Sequence, residues 1–325
     1  AASDVYKRQI IIPVYGVEQY VEKCLHSVFN QDLPPSDFEI IVVNDGTKDN
    51  SWNIVKKVTD NYSNVCLVEQ TNQGLSSARN HGLDLARGEY VWFIDSDDWI
   101  ETNCLSEILY AAEGNDVLAL STMFKEGDWK GIKSYGVSSN TTDKLSYMNQ
   151  DYPTPAQFYV CRKSFLVENN FRFVKGIKHE DCLFTPLILA KCTTFSVLTK
   201  PVYHFLKRAD SITTIYDNKR GYDYCYIINQ LYNYRDTISN NLILDRYDAG
   251  IARIIKEHLR LATKLDKRTQ IDINSFYVKH KYILGCLLKS KYNSQILYFL
   301  YKYTPFNLVS IYGYLECVWN IIRVC

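Results

Sequence analysis

Cysteine pairs at metal or redox spacing are missing from this chain, and so is any run of about 18 uninterrupted apolar residues. The first absence excludes C-x-x-C chemistry. Ten cysteines remain, scattered at 24, 66, 104, 161, 182, 192, 225, 286, 317 and 325, and they read as buried free thiols of a reducing compartment. The second absence argues against a spanning helix. No secretory leader is evident either, because Ala1–Gln9 is polar and only a handful of apolar residues follow it, so the expected location is the cytoplasm. Residues 1–9 also lack an initiator Met and fit no element, and are expected to be a leader foreign to the protein. An excess of charge is lacking as well: 37 Lys and Arg face 36 Asp and Glu, a net +1. That balance points away from a nucleic-acid partner. No internal repeat or low-complexity tract appears.

What is present belongs to a globular protein. Hydrophobic residues make up 46% and charged ones 22% of 325 residues, enough for one large α/β domain with an appendage or for two ordinary domains. From Gln9 onward, short β-branched runs alternate with amphipathic stretches. Strands are expected at 10–14, 38–43, 65–69 and 89–94, with helices at 17–31, 51–62 and 75–86 between them. This alternation implies right-handed crossovers and a mostly parallel, Rossmann-like sheet with helices on both faces. Ligands of such sheets sit beyond the carboxyl ends of the strands. Tyr15–Gly16, Asn44–Asn50, Thr71–Gly74 and Asp95–Asp98 follow the four strands in turn, so all four polar clusters are expected at one edge. A fifth strand is expected at 116–122, a helix from 179 to 191, and strand, turn and strand over 194–205.

"FIDSDDW" (93–99) places Asp95, Asp97 and Asp98 within four positions, straight after a buried run. Carboxylates this close repel one another unless something positive sits among them. Hard oxygen ligands suit Mg²⁺ or Mn²⁺, and one or two carboxylates leave most of the ion's coordination sphere for water and phosphate. The alternative is an Asp-rich turn capping the helix near Cys104.

"IIIPVYG", "IIVVNDGTKDNS", "TNQGLSSARNHGLDLARGEYVWFIDSDDW" and "GIKHEDCLF" resemble, in that order, the landmarks of the family 2 glycosyltransferases with the GT-A fold, over residues 10 to about 215. The resemblance implies an inverting hexosyl- or N-acetylhexosaminyl-transferase that moves a sugar from a nucleotide-sugar donor, usually a UDP-sugar, to a hydroxyl, in bacterial surface polysaccharide or glycolipid synthesis. It assigns Asp45 to the donor base, Arg79 and Gly74 to donor contacts, Asp95 to the ribose side and Asp97 to the metal. Pro13, Val14, Tyr15 and Ser96 fall within the same donor motifs. Of Glu180 and Asp181, the aspartate is the expected base and the glutamate a positioning group. In "YHFLKRADSIT", His204 would complete the metal shell and Arg208 would pair with phosphate. Each assignment has a plainer alternative: an Asp-Gly turn at Asp45, a solvated side chain for Arg79, and acids complementing a helix dipole at 180–181. Asp49 is expected to cap the helix that begins at Ser51. Gly16 and Gln73 depart from the commoner Asn and Gly of the family pattern.

The implied organisation is a GT-A catalytic domain over 10–216, divided into a nucleotide half (10–114) and an acceptor half (115–216), with a helical C-terminal extension over 217–325. From Ile273 the extension carries Lys279, Lys281, Lys289, Lys291, Lys302 and Arg323 against Glu316, amid many tyrosines. Such a surface suits peripheral contact with the anionic inner face of a membrane through 273–325, where lipid-linked or saccharide acceptors reside. A helical cap or a homodimer contact is the alternative. Two other functional classes compete: a nucleotide-sugar-binding protein without turnover, and a sugar nucleotidyltransferase. The latter would want a Gly-rich, basic loop after the first strand, and "PVYGVEQY" supplies none.

Overall fold

Every residue from Arg8 to Val14 is buried, as a strand must be when helices cover both faces of its sheet. The computed structural model describes residues 8–126, 133–135, 143–150, 152–207, 216–290, 292–303 and 307–315. Packing divides the chain into two compact units. One takes the chain up to Tyr147, Tyr152–Gly176 and Cys192–Ala209; the other takes Met148–Asp151, Ile177–Lys191 and the chain from Asp210.

The sheet unit begins with β1 (Arg8–Val14), α1 (Val21–Phe29), β2 (Phe38–Asn44), α2 (Ser51–Thr59), β3 (Val65–Glu69), α3 (Leu75–Leu85) and β4 (Tyr90–Phe93). These four strands pair in parallel in the order β3-β2-β1-β4. Ile10, Ile11, Ile12 and Val14 on β1 are essentially inaccessible, and each contributes on the order of 2 kcal/mol by its burial. Gly82 brings α3 close to the sheet, for a Cβ there would collide with the Ile11 side chain.

The unit continues with β5 (Trp99–Ile100), α4 (Leu105–Ala112), β6 (Val117–Glu126), β7 (Lys133–Tyr135), α5 (Lys144–Met148), β8 (Tyr159–Arg162), α6 (Lys163–Glu168) and β9 (Phe195–Lys207). Beyond β4 the sheet runs β8-β6-β9-β5, with β7 paired to β6. Here the expectation of a mostly parallel sheet needs refining. Only β6 and β9 are parallel, whereas β4–β8, β6–β8, β6–β7 and β5–β9 are antiparallel. The strand, turn and strand expected over 194–205 is one strand, β9. Its register on β6 jumps from Leu198 to Pro201 and then to Tyr203. Pro201 has no N–H to give the ladder, so what reads as a turn is an irregularity inside a single strand.

The helical unit contains α7 (Glu180–Lys191), α8 (Asn218–Tyr234), α9 (Asn241–Ala262), α10 (Lys267–Lys279), a 3-10 stretch Lys281–Lys289, and α11 (Tyr292–Tyr303). Three of these helices start with an N-cap side chain that accepts a backbone N–H: Asp217 from Arg220, Asn240 from Leu242 and Ile243, and Asp266 from Thr269. By contrast, α7 is buried on almost every side, the pattern of a helix enclosed by neighbours. Among the described residues no helix is long and apolar enough to cross a membrane. Of the basic residues at the C-terminal end, Lys289 pairs with Asp245 at 2.8 Å, while Lys291 and Arg323, with Glu316, lie outside the described residues. Eight cysteines are described, all free thiols and six of them buried.

Candidate active site

The loops that follow the parallel strands are laced to one another. After β1, the Gly16 and Val17 N–H groups donate to Thr47 Oγ1 and Ser51 Oγ, both at 2.9 Å, and Glu18 N donates to Asp49 at 3.1 Å. After β2, Asp45 reaches the loop beyond β3. Its carboxylate accepts from the Gln70 amide at 2.8 Å and from the Gln73 and Gly74 N–H groups at 2.9 and 2.8 Å. Gly46 beside it has φ +66°, and a Cβ there would stand 2.8 Å from Asn72 N, so only glycine lets the two loops approach this closely. From α3, Arg79 closes the ring with an ion pair to Asp95 at 2.6 Å. The expected convergence of four polar clusters at one edge is therefore made of hydrogen bonds that can be named.

Within that edge the donor-motif residues take different positions. Pro13 and Val14 are buried at the end of β1, whereas Tyr15 is 49% exposed. Gly74, at φ +87°, is exposed with open space where a side chain would stand, a backbone position that a ligand can approach. Asp45 is buried at 3% exposure, and most of its acceptor capacity goes to holding the Gln70–Gly74 loop. Arg79 is only 2% exposed and sits 5.2 Å from the Phe173 ring centroid. It is a buried partner of Asp95, not a solvated surface group.

The acidic turn owes its shape to β9. Because β5 pairs antiparallel with β9, Ile100 lies opposite Tyr203 and Trp99 opposite His204. The Tyr203 hydroxyl donates to Asp98 Oδ2 at 2.6 Å and accepts from Asp95 N at 3.2 Å, while Leu206 N donates to Asp98 Oδ1 at 2.8 Å. Asp98 is 2% exposed. Burial first, then the charges of Asp97 and Asp95, push its carboxyl well above the usual range, against these hydrogen bonds. Asp98 thus builds the turn, Ser96 is buried within it, and Asp95 and Asp97 stay partly exposed. One oxygen from each of Asp95, Asp97 and Asp98 lies within 4.8 Å of the others. This all-oxygen, mutually repelling set fits a hard divalent cation.

His204 is not among the residues whose ligand atoms meet in that set; its Nε2 lies 2.7 Å from Glu101 Oε1 and its ring stacks on Trp99 at 5.0 Å. Arg208 lies outside the described residues. In the helical unit, Glu180 is buried and Asp181 partly exposed at the first turn of α7, where Asp181 Oδ1 accepts from Cys182 N at 2.8 Å. His179, Asp181 and Cys182 also bring ligand atoms within 4.8 Å. Arg220 Nε, however, donates to His179 Nε2 at 2.9 Å, and a guanidinium there opposes a cation. Sequence reasoning missed Tyr203, Phe173, Gln70 and Arg220. Tyr203 had one usable signal, its place beside His204 on a strand whose neighbours are apolar.

This parallel sheet with a mixed extension and an acidic turn after its fourth strand is the GT-A arrangement. The structure of Staphylococcus aureus TarS 1–349 in complex with UDP-GlcNAc superposes with a TM-score of 0.77 at 22% identity, covering 97% of this chain and 91% of that one. The mannosyltransferase PcManGT of Pyrobaculum calidifontis, in complex with GDP-Man and Mn²⁺, gives 0.52 at 14% identity, covering 98% and 90%. Residues 9–166 match the model of glycosyl transferase family 2; the chain carries a domain of that family. The poly(ribitol-phosphate) β-glucosyltransferase of Bacillus spizizenii is 32% identical over 213 residues, which is 63% of this chain and 33% of that protein. The chain spans from about a third to just under two-thirds of the length of the first relatives it matches.

Proposed function

We propose that this protein is an inverting glycosyltransferase that moves a sugar from a nucleotide-sugar donor, a UDP-sugar first among those to test, to an acceptor hydroxyl of a cell-envelope saccharide or polyol polymer. The observation that carries the reading is the acidic turn after β4, where three carboxylates converge and Arg79 is buried against one of them. The UDP-GlcNAc held by TarS and the poly(ribitol-phosphate) named in the Bacillus relative supply the first donor and acceptor classes.

Asp97, with Asp95 beside it, would hold Mn²⁺ or Mg²⁺, and such a cation supplies Lewis-acid stabilisation of the departing diphosphate. Arg79 fixes the Asp95 carboxylate. Asp45 sets the Gln70–Gly74 loop against which the base of the donor lies, and Tyr15, exposed after β1, flanks it. Asp181 takes the proton from the attacking hydroxyl as it meets an oxocarbenium-like carbon, and Glu180 positions it.

Isothermal calorimetry with UDP and Mn²⁺, run beside a UDP-release assay over a panel of nucleotide sugars, tests the two acids separately. Asp97→Ala should abolish metal-dependent UDP binding and lower turnover by on the order of 10³-fold. Asp181→Asn should leave binding intact and lower turnover by roughly 10²–10⁴-fold. Unchanged binding in the first variant, or normal turnover in the second, would remove the corresponding role.

A further inference from the structure

Glu180 and Asp181 begin α7, and the residue before them is held in an uncommon backbone state. His179 has φ +62°, a left-handed conformation that costs a non-glycine residue about 1 kcal/mol or more and persists only where its surroundings enforce it. The enforcement comes from α8. Arg220, 6% exposed, donates its Nε–H to His179 Nε2 at 2.9 Å. Tyr224, one turn further along α8, stacks on the imidazole with centroids 5.0 Å apart and planes 27° apart.

The neighbouring residue is pinned as well. Lys178 N donates to Asp223 Oδ2 at 2.8 Å, and Lys178 Nζ pairs with Asp217. Asp223 is in turn held by Lys219 at 2.6 Å. The ladder of rings continues inward: His258 of α9 stacks on Tyr224 at 5.5 Å, and its Nδ1 lies 2.8 Å from the Tyr277 hydroxyl of α10. Three helices thus bear, directly or through the ladder of rings, on the turn that sets the direction in which the two carboxylates leave the backbone.

A ring nitrogen that accepts a hydrogen bond from a guanidinium carries no proton, so His179 is neutral with its proton on Nδ1. Neither His179 nor Arg220 is then free to act as an acid on substrate.

We infer that Arg220, acting through His179, is a positioning residue for transfer: the Arg220–His179 hydrogen bond holds the left-handed turn that aims Asp181, and the helical region after residue 216 serves the chemical step by supplying it. This rests on the assignment of Asp181 as the base.

The test uses the full chain and the nucleotide sugar it turns over, with UDP release, UDP calorimetry and thermal midpoint measured for Arg220→Met, His179→Leu, the double variant, Arg220→Lys and Asp181→Asn. Arg220→Met and His179→Leu should each lower kcat by roughly 100-fold, the scale of a misplaced catalytic group, with donor KM and UDP affinity unchanged and only a small fall in thermal midpoint from the lost buried hydrogen bond. The double variant should be no worse than the poorer single one, because both break one link. Arg220→Lys should recover part of the loss, as an ammonium can still donate to Nε2. Full activity in Arg220→Met beside an inactive Asp181→Asn would overturn this inference alone. Normal turnover in Asp181→Asn would overturn the base assignment, and this inference with it. Losses that multiply in the double variant, or that track a large fall in thermal midpoint, would reduce Arg220 to a fold-holding residue.

Discussion

Asp98 is held by groups more than a hundred residues away in sequence, the Tyr203 hydroxyl and Leu206 N, whereas Asp181 accepts from the very next residue, Cys182, at the start of its own helix. In the sheet unit an acidic turn is fixed from outside by a side-chain hydroxyl and a backbone N–H of the neighbouring strand. In the helical unit an acidic pair is fixed from behind, by a backbone twist at His179 that Arg220 and Tyr224 enforce. The first arrangement suits carboxylates that must tolerate one another's charge while leaving room for a cation. The second suits a carboxylate that must point in one direction.

The largest effect that would sharpen this contrast is expected at Asp98. Asp98→Ala leaves the Tyr203 hydroxyl and Leu206 N–H buried without an acceptor, which costs on the order of 3 kcal/mol. It also releases the turn that carries Asp95 and Asp97. Urea unfolding should show the loss in the midpoint, and calorimetry should show metal-dependent UDP binding fall with it. A stable Asp98→Ala variant that binds UDP and Mn²⁺ normally would mean that Asp98 does not build the turn.

How much of each arrangement was legible in the sequence follows from how local its determinants are. The β1, β2 and β4 strands and the loops after them could be read because burial on both faces leaves apolar runs, and the terminal strand Val65–Glu69, only partly buried, is also found as expected. Strand pairing beyond β4 could not. Nothing in "TFSVLTKPVYHF" says that Pro201 interrupts a ladder without reversing the chain, or that Tyr203 will face Asp98. Arg220 was hidden for a related reason. It lies 40 residues beyond Glu180 on a helix that reads as part of an extension, and only packing shows that 177–191 belongs with that helix. The convergence of Asp95, Asp97 and Asp98 was visible because it is contiguous.

The pH dependence of stability distinguishes the two regions next. Burial, and for His179 also Arg220, lowers the imidazole of His258 to about 3 and that of His179 to about 4. On unfolding each returns to the ordinary histidine value of about 6.5. The unfolded chain therefore binds protons that the folded helical unit refuses, and their contribution is fully present above about pH 6.5. It is lost as pH falls from there toward 3–4, at up to about 1.4 kcal/mol per pH unit for each histidine. Urea midpoints between pH 7.5 and 4.5 should decline accordingly, at about half that slope once His258→Gln removes one of the two groups. An unchanged slope in that variant would place the acid sensitivity elsewhere.

The smallest effect is expected at Asp49, a carboxylate at the start of a helix in the sheet unit and so the counterpart of Asp181. Its Oδ1 accepts from Ser51 N and Thr47 Oγ1 at 3.1 and 2.7 Å, and its Oδ2 from Glu18 N at 3.1 Å. Partial burial raises its carboxyl, but the bonds from Ser51, Thr47 and Glu18 outweigh it and hold the group below the usual carboxylate range. A carboxylate so occupied stabilises the fold at neutral pH and is a poor base. Asp49→Asn keeps one acceptor oxygen and should cost about 1 kcal/mol with UDP release unchanged. The stabilisation belongs to the ionised form, so it is present above the ordinary carboxylate pKa of about 4 and lost as pH falls through the depressed folded value. The two proteins should therefore unfold alike at low pH and diverge as pH rises. If Asp49→Asn slowed turnover as Asp181→Asn is expected to, the division between a carboxylate spent on its turn and one kept for chemistry would not hold.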